Sequence, residues 1–181
     1  IELEEKISKL KLAKSEYLSN KYMLEDMMIK KYPRQITELK TRLEAMEKDI
    51  EDTKKYGDSH EITIKGRTFS ERKEGGEALL LCARKNTTPE TIGEFLGFEL
   101  RIQYDEYSRM HTISLKKYNT YQFDMGENSV GNMTRLQKEI NAIPKYAEKV
   151  KRQLEETEKS LADAKAEIEK PFSKETELKE M

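Results

Sequence analysis

His60 and His111 are the only histidines in this chain, and Cys82 is its only cysteine. Neither histidine has a second histidine or a cysteine at metal-ligand spacing, so the pattern predicts no zinc site. A catalytic histidine needs an orienting partner and a proton to take. No such arrangement is visible, and both residues are predicted on exposed strands or loops. Cys82 lies in the run Ala78-Leu79-Leu80-Leu81-Cys82-Ala83, where it reads as a small buried hydrophobe. With one cysteine, no internal disulfide can form. No GxxxxGK[ST] phosphate loop occurs, and the acidic pair Asp105-Glu106 reads as a solvated turn. These features predict a segment that is not an enzyme and carries no cofactor.

One group of side chains could still do binding chemistry. Lys65, Arg67, Arg101, Arg109, Lys116 and Lys117 all fall on predicted strands or their turns. If Arg101 and Lys116 point away from the core, they share a face, with Tyr107 and Tyr118 nearby for stacking. Such a face suits a nucleic-acid backbone, so DNA is a candidate partner. The alternative is an ordinary charged surface, because Glu99, Asp105 and Glu106 interleave with the basic residues.

All eight glycines lie between Gly57 and Gly131. That asymmetry predicts an N-terminal helical arm over 1–56, an α+β head over 57–131 and a C-terminal helical arm over 132–181. The charged fraction of 38% exceeds the hydrophobic fraction of 35%, which fits elongated, solvated helices better than one large core. Basic and acidic residues number 34 and 35. This balance gives no general attraction to nucleic acid, so any DNA contact needs a local basic face. No apolar run reaches the length of a membrane span, and no signal-peptide pattern is present. A cytoplasmic setting without a membrane partner is expected. The chain starts at Ile1 and ends at Met181, each within a helical pattern, and it reads as a segment of a longer protein.

The arms carry heptad-like stripes. In the first arm, Leu3, Ile7, Leu10, Tyr17, Leu24 and Met28 recur at helical spacing, and Tyr32-Pro33 punctuates the helix. Ile36, Leu39, Leu43, Met46 and Ile50 then alternate three and four apart, and Gly57 is placed to end that helix. In the last arm, Ile140, Ala147, Leu154, Leu161 and Ile168 are seven apart, with Val150 in a complementary position. Pro144 requires a kink or a restarted helix with the proline in its first turn. The two seams have similar lengths, about 34 and 40 Å at 1.5 Å per residue. An antiparallel intramolecular coiled coil is the simplest way to bury both. The first arm could add a third strand or pair with a second molecule.

Within the head, Ile62 and Ile64 alternate before a Lys65-Gly66-Arg67 turn, and a helix is predicted to start near Ser70. Leu100, Ile102 and Tyr104 alternate with Arg101, Gln103 and Asp105. Ile113 with Leu115, and Tyr121 with Phe123, mark further strands. The expected fold class is α+β: long antiparallel coiled-coil arms around a head of roughly four antiparallel strands and one packed helix. Asn132 is the expected N-cap of the final arm.

Several segments, in order, resemble a known family. Ile92-Gly93-Glu94-Phe95-Leu96-Gly97-Phe98-Glu99-Leu100 is similar to an LGxYxGF.L stretch, and Gly131-Asn132-Met133-Thr134-Arg135-Leu136 to a GNxTRL segment. Glu169-Lys170-Pro171-Phe172 with Glu175, Glu177 and Leu178 is similar to a KPFxxExEL tail. With Tyr22-Met23-Leu24-Glu25-Asp26, Tyr32-Pro33 and the Ile62 to Ser70 turn, the chain resembles the C-terminal region of large superfamily II, Snf-type helicase and adenine-specific DNA methyltransferase fusion proteins. Such proteins belong to bacterial conjugative elements and phages. The chain departs from that pattern at Pro144, where an uninterrupted helix is expected. The resemblance implies a parent that remodels or modifies DNA, with its motor and methylase domains upstream as partners. None of those motifs lies in this segment. The expected function is therefore a non-catalytic accessory module that positions DNA or a partner. The alternative is a structural coiled-coil stalk whose head binds protein or forms a homodimer.

Overall fold

The computed structural model describes residues 1–169. The expected stop at Pro171 and the short helix expected from Ser173 through Glu175, Glu177 and Leu178 lie outside the described residues. The chain divides into two compact units. One is Arg42–Val150; the other comprises Ile1–Thr41 and the described residues from Lys151 onward.

The second of these units is helical. Helix α1 runs over Glu2–Asp26 and passes through a π turn at Met27–Lys31 into α2, Tyr32–Thr53. The backbone stays in the right-handed helical region at Asp26 and at Tyr32. The punctuation expected at Tyr32-Pro33 is thus a widened turn just upstream of the proline. The proline lacks an N–H to donate, and a π turn redistributes the neighbouring carbonyls. Of the α1 side chains only Leu10 is buried. From α2 this unit takes Ile36 and Leu39, both half-buried. From α5, Ile143–Glu169, it takes Leu154, Leu161 and Ile168, also half-buried, and Ala164, which is buried.

The Arg42–Val150 unit is built on a six-stranded antiparallel sheet. Its strands are β1 Ile62–Ile64, β2 Arg67–Phe69, β3 Glu90–Phe95, β4 Phe98–Asp105, β5 Met110–Lys116 and β6 Thr120–Asp124. They lie in the order β2-β1-β3-β4-β5-β6. The expectation of roughly four strands is corrected by two tight turns. Lys65-Gly66 has φ values of 50° and 82°, and Leu96-Gly97 has 49° and 83°. Two successive positive φ values make the primed turns that join short antiparallel strands. The chain from Glu90 to Asp105 therefore folds back on itself as β3 and β4.

The expectation of one packed helix is also corrected. Helix α3, Arg72–Lys85, packs beside α4, Ser129–Asn141. Helix α3 also touches β1 and β2, while α4 touches β6. Met133, Leu136 and Ile140 of α4 are buried, so this first piece of the final arm belongs to the core of the sheet unit. Phe98, Leu100, Ile102, Ile113 and Leu115 have no exposed surface. Each such side chain contributes about 1.5–3 kcal/mol by burial.

The N-cap of α4 is Asn128, whose side chain accepts from the Gly131 N–H at 2.7 Å. The Asn132 cap is thus corrected. Asn132 is fully buried, accepts from the Gly126 N–H at 2.7 Å and donates to the Gly126 carbonyl at 2.9 Å. Helix α4 ends at Asn141 and α5 restarts at Ile143. Pro144 occupies the first turn of α5, where a missing N–H costs nothing. In this unit Leu43 and Ile50 are half-buried, while Met46, Ala147 and Val150 are buried.

Candidate nucleic-acid interface

The alternation along β4 decides which side chains face outward. Leu100 and Ile102 are buried, while Glu99, Arg101 and Gln103 are exposed. Register carries the same division across the sheet. Thr91, Arg101, Ser114 and Gln122 form one outward row, and Thr63, Glu94, Glu99, Lys116 and Thr120 form the next. Arg101 and Lys116 therefore share the face away from α3 and α4. Lys116 stands directly across from Glu99, an opposite-charge pairing position.

This face is polar but not basic. Glu94, Glu99 and Asp124 accompany the two cations. Hydroxyls tie parts of it together: Thr91 donates to Glu99 at 3.2 Å, and Thr112 donates to Asp124 at 3.0 Å. Phosphate binding depends on uncompensated positive charge. Two cations beside three carboxylates supply little.

The other basic residues are distributed elsewhere. Lys65 sits in the β1–β2 turn and donates to Glu90 at 2.9 Å. That hydrogen bond holds the Glu90 carboxyl below, and the Lys65 ammonium above, its ordinary range. Lys117 pairs with Asp52 of α2 at 3.1 Å, which lowers the Asp52 pKa. The Arg67 guanidinium lies 5.5 Å from the centre of the Phe69 ring. Arg109 closes the β4–β5 hairpin at φ 57°. It lines a cleft with Arg84 of α3, His111 and Met125. Of the two tyrosines read as stacking partners, Tyr107 is fully exposed at the hairpin tip and Tyr118 is half-exposed in the β5–β6 turn. Lys48 of α2 lies 5.4 Å from the Tyr118 ring centre.

No group of three or more potential metal ligands occurs among the described residues. No described helix is long and apolar enough to cross a membrane. Burial raises the pKa of the Cys82 thiol, so the thiolate is disfavoured. His111 is half-buried on β5, and burial lowers its pKa.

Asp49 is the residue that the sequence pattern conceals. It is fully buried near the C-terminal end of α2. Its carboxylate accepts from the Tyr118 N–H at 3.0 Å, the Asn119 N–H at 3.1 Å and the Tyr121 hydroxyl at 2.7 Å. Tyr121 in turn meets Phe98 edge-on at 6.0 Å and stacks on Tyr146 of α5 at 6.3 Å. One side chain thus joins α2 to the β5–β6 turn, and its neighbour Tyr121 joins that turn to the core. Asp52 adds its ion pair to Lys117 one helical turn along. The available signal was spacing: Met46, Asp49 and Thr53 share one helix face, and an acid on an apolar stripe needs a partner.

Comparison with known proteins returns no matching family model, no matching curated protein and no matching solved structure.

Proposed function

We propose that this chain is a non-catalytic positioning module of a DNA-processing, helicase- or methylase-like protein. The observation that carries the reading is the Asp49 socket. A buried carboxylate with three donors, backed by the Asp52–Lys117 pair, couples a helix stiffly to a sheet. A device that sets the place of DNA or a partner needs such stiffness; a passive linker does not. On the outward sheet face, Arg101 and Lys116 are the cations that a phosphate backbone would meet.

The test is binding to duplex and single-stranded DNA across a salt series. With two participating cations, the log–log salt slope on duplex is about −2. The paired change Arg101→Ala with Lys116→Ala is expected to remove that slope. Absence of binding at low salt ends the DNA role of the sheet face.

A second reading is a structural stalk with a protein-binding or dimerising head. The mixed charge of the outward face favours it, as do the exposed Tyr104, Tyr107 and Met110 around the β4–β5 hairpin. A dimer detected by light scattering supports this reading. In either case the arms are proposed to pair as an antiparallel coiled coil. Burial along α5 supports this, because Ala147, Val150 and Ala164 are buried and Leu154, Leu161 and Ile168 half-buried, while the charged residues between them are exposed. Leu154→Glu is expected to lower the monomer's helicity and to cost about 2 kcal/mol of stability. A change in oligomeric state alone overturns intramolecular pairing.

A further inference from the structure

One opening in the Arg42–Val150 unit lies on the side of the sheet that α3 covers. It is a cleft of about 600 Å³ between α3, the start of β5 and the loop after β6. That volume falls within the range of small-molecule sites. Its lining is chemically divided. Arg84 and Arg109 contribute two guanidinium groups, and Glu127 one carboxylate. No ion pair joins either arginine to another described residue. Met110 and Met125 provide apolar, polarisable surface. His111 also lines the cleft, and its Nε2 is buried without a hydrogen-bond partner. Buried polar atoms in folded proteins are normally satisfied, and an exception asks for an explanation.

We propose that this cleft binds a nucleotide unit, with its phosphate on Arg84 and Arg109 and its base against Met110 and Met125. Guanidinium forks match phosphate oxygens two at a time. Methionine sulfur makes favourable contacts with aromatic rings. Glu127 is an acceptor for ribose hydroxyls or an exocyclic amine, neither of which inorganic phosphate offers. The three features together favour a phosphate ester carrying a planar, hydrogen-bonding body over a bare anion. The site goes beyond the positioning role, because it uses none of the residues on the outward sheet face. Its ligand is either a free mononucleotide or the terminus of a single strand.

The experiment uses the whole chain, labelled at its methionine methyl groups and titrated with adenosine monophosphate. The expected result is saturable shifts of the Met110 and Met125 methyls. Arg84→Ala with Arg109→Ala is expected to weaken binding by about tenfold or more, since charge-assisted hydrogen bonds are lost. Both arginines are exposed, and an unchanged melting curve verifies that the double variant folds. Adenosine without phosphate is expected to bind about tenfold more weakly as well. Equal responses to inorganic phosphate and adenosine monophosphate overturn the nucleotide assignment. So does an unchanged affinity in the double variant, or an absence of saturable methyl shifts.

A phosphorylated single-stranded oligonucleotide separates the two sources and the two readings. Methyl shifts with the oligonucleotide that the double variant loses assign the site to a strand terminus. Shifts with the mononucleotide alone support the cleft but not a DNA role. Oligonucleotide binding that leaves both methyls unmoved overturns the cleft while leaving the positioning role intact.

Discussion

Asp49→Ala is expected to destabilise the protein by about 3–5 kcal/mol. The substitution strands two backbone N–H groups, of Tyr118 and Asn119, and the hydroxyl of Tyr121. Each buried group left without a partner costs about 1–3 kcal/mol. The total is a large part of the roughly 5–15 kcal/mol that stabilises a typical fold. Chemical denaturation measures the loss directly. Asp49→Asn is expected to fall between, because an amide keeps one acceptor oxygen and turns a second donor toward existing donors. A loss below about 1 kcal/mol for the alanine variant means that the socket does not hold α2.

The same site predicts a pH dependence. Burial, and then the hydrogen bond to Asp49, raise the Tyr121 pKa well above that of an ordinary phenol. Stability from this group is fully present below the unfolded value of about 10. Above that pH the unfolded chain has released the proton and the folded one still holds it. The unfolded state then binds fewer protons, and stability falls as pH rises. Tyr121→Phe is expected to remove this alkaline slope, while also losing its bond to Asp49 at every pH.

Gly93→Val is expected to be as damaging, by a steric route. Gly93 lies in β3 opposite Ile64, and a Cβ placed there overlaps the backbone carbonyl of Thr63. A backbone atom in a sheet cannot move aside as a side-chain tip can. β1 must then separate from β3, giving up the pairings of Ile62 with Phe95 and Thr63 with Glu94. The expected cost is about 3–5 kcal/mol, or roughly 6–20 °C in Tm for a chain of this size. Loss of amide-exchange protection at Ile62 and Ile64, with β4 and β5 still protected, identifies the mechanism. Unchanged protection in β1 overturns it.

Parts of this architecture were legible because they are local. The alternation of Leu100 and Ile102 with Arg101 and Gln103 names a half-buried strand and its outward residues wherever the strand lies. The Asp105 to Arg109 loop marks a hairpin for the same reason. The register shifts between Thr91 and Gly93, and a glycine inside a strand is a local mark of such a bulge or close approach. The candidate site was less legible. Lys65 and Lys117 looked like members of a basic stripe, yet each finds a carboxylate far along the chain, in Glu90 and Asp52. A list of cations does not say which carboxylates folding brings beside them.

The amino-acid order by itself determined the helical stripes, the strand alternation and the glycine-bearing stretch where turns are possible, because neighbours along the chain set these. The tertiary structure alone decided that β1 lies beside β3, that α4 joins the core, that Asp49 meets Tyr118 and Asn119, and that Arg84 meets Arg109 at one cleft. Those outcomes depend on which distant surfaces exclude water together and which buried donors find an acceptor, and neither has a signature in local periodicity.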